Sequence, residues 1–141
     1  MTADELISLL DLSPHPEGGW YRQTWFEQPP EGRPSGTSIY FLLANGGASH
    51  WHRVDATEIW HYYAGAPLIL SLAASSSGPA QDHILGADLP DERPQIIVPK
   101  GHWQAARTTG DYTLVGCTVS PGFQFDGFEL APEGFDIPRA R

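Results

Sequence analysis

The feature that most constrains this chain is its punctuation. Short apolar or alternating runs are cut at close, even intervals by NGG, VDA, GAP, SSSGP, DLPDERP, PKG, TGD and SPG. Residues of this kind set turns rather than continue helices. Between them, strands are expected near 20–26, 37–44, 48–53, 57–64, 68–74, 81–85, 95–99, 103–107, 112–119 and 123–130. Many short strands with no helices alternating between them indicate an all-β sandwich or barrel. Only the N-terminus carries a helix signal. Thr2 with Glu5 makes a capping box, Leu6, Leu9 and Leu10 share one helical stripe, and SPHPEGG stops the run.

AASSSGPA is the single low-complexity patch, and β pattern continues on both sides of it, so residues 1–141 read as one domain. A hydrophobic fraction of 40% in 141 residues can fill a core. Eight basic against seventeen acidic residues give a net charge of −9. A phosphate backbone or an anionic membrane surface would be repelled, which sets nucleic acid and membranes aside as partners. Cys117, the only cysteine, lies in the apolar run YTLVGCTV and reads as a small buried hydrophobe. MTADELISLL has acids where a secretion signal has basic residues, and IYFLLA is too short to span a bilayer, so a cytoplasmic protein is expected.

Three of the six histidines fall in GGASHWHRVDATEIWHYYAGAPLIL. On a regular strand over 48–53, His50 and His52 share one face with Cα atoms about 6.6–6.8 Å apart, near enough to meet one ion. Glu58 follows after five intervening residues, across the turn VDA, and Gly65 ends the next strand after six more. Trp60 and Tyr62 share the parity of Glu58, whereas His61 has the opposite parity and should face away.

The order HxH, short gap, Glu, six residues, Gly resembles the first motif of the cupin superfamily. VPKGHWQAA resembles its second motif, with Pro99 and Gly101 in place and Gln104 where the fourth ligand would stand. HPEGGWYRQTW, SIYFLL, WHRVDATEIWHYYAG, PKGHWQAA and YTLVGCTVSPGFQFDGFELA together resemble a small subgroup of single-domain cupins. That resemblance implies a double-stranded β-helix, the cupin jelly roll, after one short helix. It also implies a divalent metal (zinc, iron, nickel or manganese) on His50, His52 and Glu58, leaving coordination positions open. His102 is a stand-in for the fourth ligand if the strand is already regular there.

A metal-free reading stands beside this one. The resemblance extends to epimerases that use a histidine base and a tyrosine acid, and here His52 or His61 could serve with Tyr63 or Tyr112. In either case His52, Glu58 and Gln104 are expected to converge on one cavity, with His50 beside them and Trp60 on its wall. Tyr62 and Arg22 are further ligand-binding candidates, and Arg22 or Arg53 could meet an anionic substituent. His15, Glu17, Gly18 and Gly19 of HPEGG precede the first strand; the paired glycines permit close backbone approach, and the segment is expected to be a tight helix-to-strand connection rather than a lid on the pocket. The function so indicated is an isomerase, epimerase or related enzyme on a sugar-like or other small polar metabolite. The alternative is a non-catalytic ligand-binding cupin, a sensor or carrier. Open strand edges lead to the expectation of a homodimer.

Overall fold

The structure is a computed structural model, and it describes residues 1–139. A short helix α1 (Ala3–Leu9) is followed by strands β1 (Ser13–Pro14), β2 (Trp20–Glu27), β3 (Gly36–Ala44), β4 (Ala48–Val54) and β5 (Thr57–Gly65). Then come β6 (Leu68–Ala73), β7 (Gln81–Leu85), β8 (Gln95–Val98), β9 (Trp103–Thr108), β10 (Tyr112–Ser120) and β11 (Phe128–Leu130). Six strands form one antiparallel sheet in the order β1-β2-β3-β10-β5-β8, and five form the second in the order β11-β4-β9-β6-β7. The chain crosses repeatedly between the two sheets, as in a jelly roll. No helix among the described residues is long and apolar enough to cross a membrane.

Alternation dictates how the sheets meet. Phe41, Leu43, Trp60 and Val115 from one sheet pack against Leu68, Leu70 and Leu85 from the other. Along β5 the inward parity runs Glu58, Trp60, Tyr62, so a carboxylate shares the core-facing side with apolar rings. On the outer side, His61 bonds Thr118 Oγ1 at 3.0 Å and faces away from the core as its parity requires. The opposite parity of β3 and β10 presents Leu42 and Leu114 outward, and α1 covers them through Leu6. Thr2 Oγ1 accepts the Glu5 amide at 3.1 Å, which is the cap read from sequence. Leu6 is the buried member of the stripe, whereas Leu9 is 67% exposed.

Three local departures from the expected strands shape the site. Ser13 and Pro14 pair with Tyr21 and Trp20, so the HPEGG segment is the loop of a hairpin rather than a helix-to-strand connection. The expected strand over 123–130 shrinks to Phe128–Leu130 because a 3-10 turn, Phe125–Gly127, precedes it. Phe123, Phe125 and Phe128 pack edge-on against one another there, with centroids 4.9–5.9 Å apart. This cluster takes successive aromatics off the alternating pattern.

The third departure is in β4. Ser49 pairs with Ala106 and His52 with Gln104, so His50 and Trp51 together oppose Ala105. Two residues against one is a β-bulge, and it cancels the parity that would have put His50 and His52 on one face. His50 Nε2 lies 2.9 Å from the Pro132 carbonyl and Trp51 Nε1 donates to Asp136 at 2.9 Å, both against the C-terminal segment outside the barrel. His52 and Ser49 face inward.

Candidate functional site

One end of the space between the sheets is an open cavity of about 180 Å³. It is lined by five strands and the HPEGG hairpin. β4 supplies His52, β5 supplies Glu58, β10 supplies Cys117, β2 supplies Tyr21 and Gln23, β3 supplies Thr37 and Ile39, and the hairpin supplies His15 and Glu17. The hairpin enters because its glycines allow it. Gly18, at φ +106, lies so close to β4 that an added Cβ would collide with the Ala48 carbonyl oxygen. The His50 amide then donates to the Glu17 carbonyl at 2.7 Å and locks the loop to the bulged strand.

Hydrogen bonds fix the protonation pattern of the floor. His52, 2% exposed, has Nδ1 2.7 Å from the His50 carbonyl, which can only accept, so Nδ1 carries the proton. In the neutral ring Nε2 is therefore a bare lone pair, and it faces Glu17 Oε1 at 3.6 Å. An indole N–H can only donate, so Trp60 Nε1, 2.8 Å from Gln104 Oε1, fixes the orientation of that amide. Gln104 Nε2 must then point the other way, and it donates to Glu58 Oε1 at 2.8 Å. Glu17 accepts from Ser49 Oγ through its second oxygen and lies 3.3 Å from His15 Nδ1.

Burial dominates the electrostatics. It pushes the Glu58 carboxyl up to about 7, against the opposing pull of His52 and with help from Glu17. It likewise raises Glu17 to about 6, against His15 and Ser49. Burial lowers both His52 and His15, so the neutral imidazole is favoured. The Cys117 thiol, beside Glu58, is raised well above its ordinary value and stays protonated. The result is a neutral base flanked by two carboxyl groups that exchange protons near neutrality.

The residues expected from sequence divide into three groups. His52 and Glu58 line the cavity, and Gln104 meets Glu58 from behind. Trp60 is 1% exposed and packs on Phe41, so it anchors Gln104 within the core rather than forming the wall. Tyr62 also packs in the core, its hydroxyl donating to the Gly65 carbonyl at 2.6 Å. The third group is outside. His50 is turned out by the bulge, and Arg22, alternate to Tyr21 and Gln23, pairs with Asp11 at 2.7 Å on the surface. Arg53 pairs with Glu129 at 2.7 Å and stacks over Trp103. Tyr63 is 50% exposed and Tyr112 packs in the cluster beneath α1, so Tyr21 is the tyrosine that reaches the cavity. His102 sits in the turn closed by its amide on the Pro99 carbonyl and is not among the lining residues.

Sequence reasoning missed Glu17, His15, Ser49 and Tyr21. The available signal was the pair of glycines directly after an acid, since close approach places the preceding side chain against whatever is approached.

The metal set implied by the family resemblance does not fit this floor. The bulge removes His50, and Trp60 turns the Gln104 oxygen, its only ligating atom, away from Glu58. Among the described residues no group of three or more His, Cys, Asp or Glu side chains is placed to hold an ion.

Comparison with known proteins agrees with the architecture. The family model described as Cupin superfamily (DUF985) matches residues 4–131. The chain is 43% identical to protein SO0799 from Shewanella oneidensis, with a TM-score of 0.87 over 93% of this chain and 85% of that one. It is 32% identical to a hypothetical protein from Leishmania major, with a TM-score of 0.84 over 96% of this chain and 90% of that one. Oxalate decarboxylase from Bacillus subtilis shares the fold at 14% identity and a TM-score of 0.66, over 86% of this chain and 30% of that one. No curated protein matches the chain in sequence. With its jelly roll and a family match over nearly its whole length, the chain belongs to the cupin superfamily, in the family DUF985.

Proposed function

We propose that the chain is a small-molecule-binding cupin that transfers protons on a sugar-like or other small polar metabolite, as an isomerase or epimerase. The observation that carries this reading is the His52 ring, held by the His50 carbonyl with its unprotonated Nε2 turned into the cavity. A general base needs a lone pair at the substrate, and burial favours the neutral His52 ring, which offers one. His52 Nε2 removes a proton from the carbon next to a substrate carbonyl, and the C–H electron pair passes into the enolate. Glu58, its carboxyl raised to about 7, gives its proton to that carbon or, for an α-hydroxy carbonyl, to the former carbonyl carbon while the hydroxyl proton passes to the other oxygen. Glu17 then takes the proton from His52 Nε2 and passes it to the Glu58 carboxylate, which restores both groups. Each proton taken is matched by one given, and no oxidant is required. The cavity lies below the roughly 300–1,000 Å³ of pockets that bury drug-sized ligands, which favours a small substrate.

The test is solvent exchange. Small sugars and keto sugars are incubated with the protein in D2O and followed by proton NMR for loss of the C–H signal beside the carbonyl. His52→Gln is expected to slow exchange by about 10²-fold or more. Exchange that is indifferent to His52 contradicts the proposal, and binding without any exchange favours the sensor or carrier.

A further inference from the structure

The cavity is rich in acceptors and contains no fixed cation. The acceptors of the floor include His52 Nε2, Glu17 Oε1 and the second oxygen of Glu58. The donors packed against the two acids are Ser49 Oγ on Glu17 and the Gln104 amide on Glu58, both neutral. Neither lysine nor arginine lines the cavity among the described residues. The arginines nearest in sequence to its walls are spent outside, Arg22 on Asp11, Arg33 on Asp55 and Arg53 on Glu129. The charged or chargeable groups on the floor are therefore the acids Glu17 and Glu58 and two histidines whose neutral form burial favours.

The mouth adds an independent observation. Phe123 and Phe125 stand edge to face at 4.9 Å, both line the opening, and Tyr21 lies across from them on β2. Phe125 is 53% exposed at the opening, so its ring is reachable from solvent. Aromatic faces attract cations, and carboxyl groups beneath them supply the compensating charge. The net charge of −9 draws cations toward the molecule and repels anions.

We infer that the cavity takes the ammonium end of a small amine-bearing metabolite, such as an amino sugar or amino alcohol, with the carboxyl groups of Glu17 and Glu58 as its partners and His52 Nε2 left free for the carbon. An ammonium group brings donors and one positive charge to two carboxyl groups that have no lysine or arginine beside them. A carboxylate or phosphate would set its negative charge against the same two acids. This inference rests on the cavity being the ligand site proposed above, and it names the class of ligand.

The experiment compares matched skeletons on the intact chain by calorimetry and ligand-observed NMR. The probes are glucosamine, glucose and glucuronate, and ethanolamine, ethylene glycol and glycolate. Each amine is expected to bind roughly tenfold or more tighter than its alcohol and its carboxylate. Glu17→Gln and Glu58→Gln should each erase the preference of amine over alcohol, with thermal melts confirming that both variants fold. A carboxylate that binds as well as its amine overturns the inference, as does an amine that binds no better than its alcohol, or the absence of amine binding. The two proposals fail separately. Exchange that depends on His52 but follows glucose or glucuronate sinks only the amine class, whereas amines bound through Glu17 and Glu58 with no dependence of exchange on His52 sink only the proton-transfer reading.

Discussion

Glu58→Gln is expected to make the protein more stable than the native chain at pH 8 while leaving the two about equal near pH 4.5, a gap that opens by roughly 3 kcal/mol. The cause is the buried carboxyl. Burial raises it from its ordinary 4.5 to about 7 in the fold. A group whose folded pKa is raised contributes its full stability below the unfolded value and loses it as pH climbs through the folded one. The native chain therefore loses this contribution between about pH 4.5 and 7, and glutamine, which stays neutral, does not. Glu17 loses stability in the same direction over a narrower range, having risen to about 6. His15 and His52 act oppositely. Their folded values are lowered, so their contribution is present above 6.5 and is lost as pH falls through the folded pKa. Differencing native and variant isolates Glu58. Urea denaturation of both proteins at pH 5 and pH 8 measures the gap, and a gap that does not change with pH would show that Glu58 is not held in a raised state.

Gly18→Ala should cost about 2–4 kcal/mol and strip the cavity of Glu17. At φ +106 the residue occupies a region that L side chains rarely adopt, and its new Cβ would press on the Ala48 carbonyl oxygen. Neither strand can yield cheaply, because the hairpin is tied to β4 through the His50 amide on the Glu17 carbonyl. Glu17→Gln separates the two effects, since it removes the acid without disturbing the backbone. A Gly18→Ala protein within about 0.5 kcal/mol of native, the ordinary range for an inconsequential surface change, would mean the hairpin does not depend on that contact.

Much of the architecture was legible because it rests on short-range patterning. Turn residues set the ends of the strands from Trp20 to Ser120, and alternation along β5 put Glu58 on the inner side and His61 on the outer one. The misreadings share one physical origin. Parity holds only along a regular strand, and the bulge at His50–Trp51 resets it, so the HxH spelling did not translate into two inward histidines. The bulge itself is stabilised by contacts far away in sequence, to Pro132 and Asp136. The 3-10 turn after Phe123 was likewise hidden, since FQFDGFEL alternates well enough to pass for a strand. For Glu17 the glycines of HPEGG signal a close backbone approach, but not that the approach is to β4 and delivers the acid beside His52. The role of Gln104 became clear only with the orientation of the Trp60 indole, a contact across 44 residues of chain.

The central claim is that His52 presents an unprotonated Nε2 to a cavity floored by Glu17 and Glu58. Long-range 1H–15N correlation spectra of the histidine rings measure this directly, with His52 assigned by its disappearance in His52→Gln. At pH 7 the ring should be neutral with its proton on Nδ1, since the His50 carbonyl 2.7 Å away can only accept. A His52 ring protonated on Nε2, or a doubly protonated imidazolium at that pH, would contradict the account.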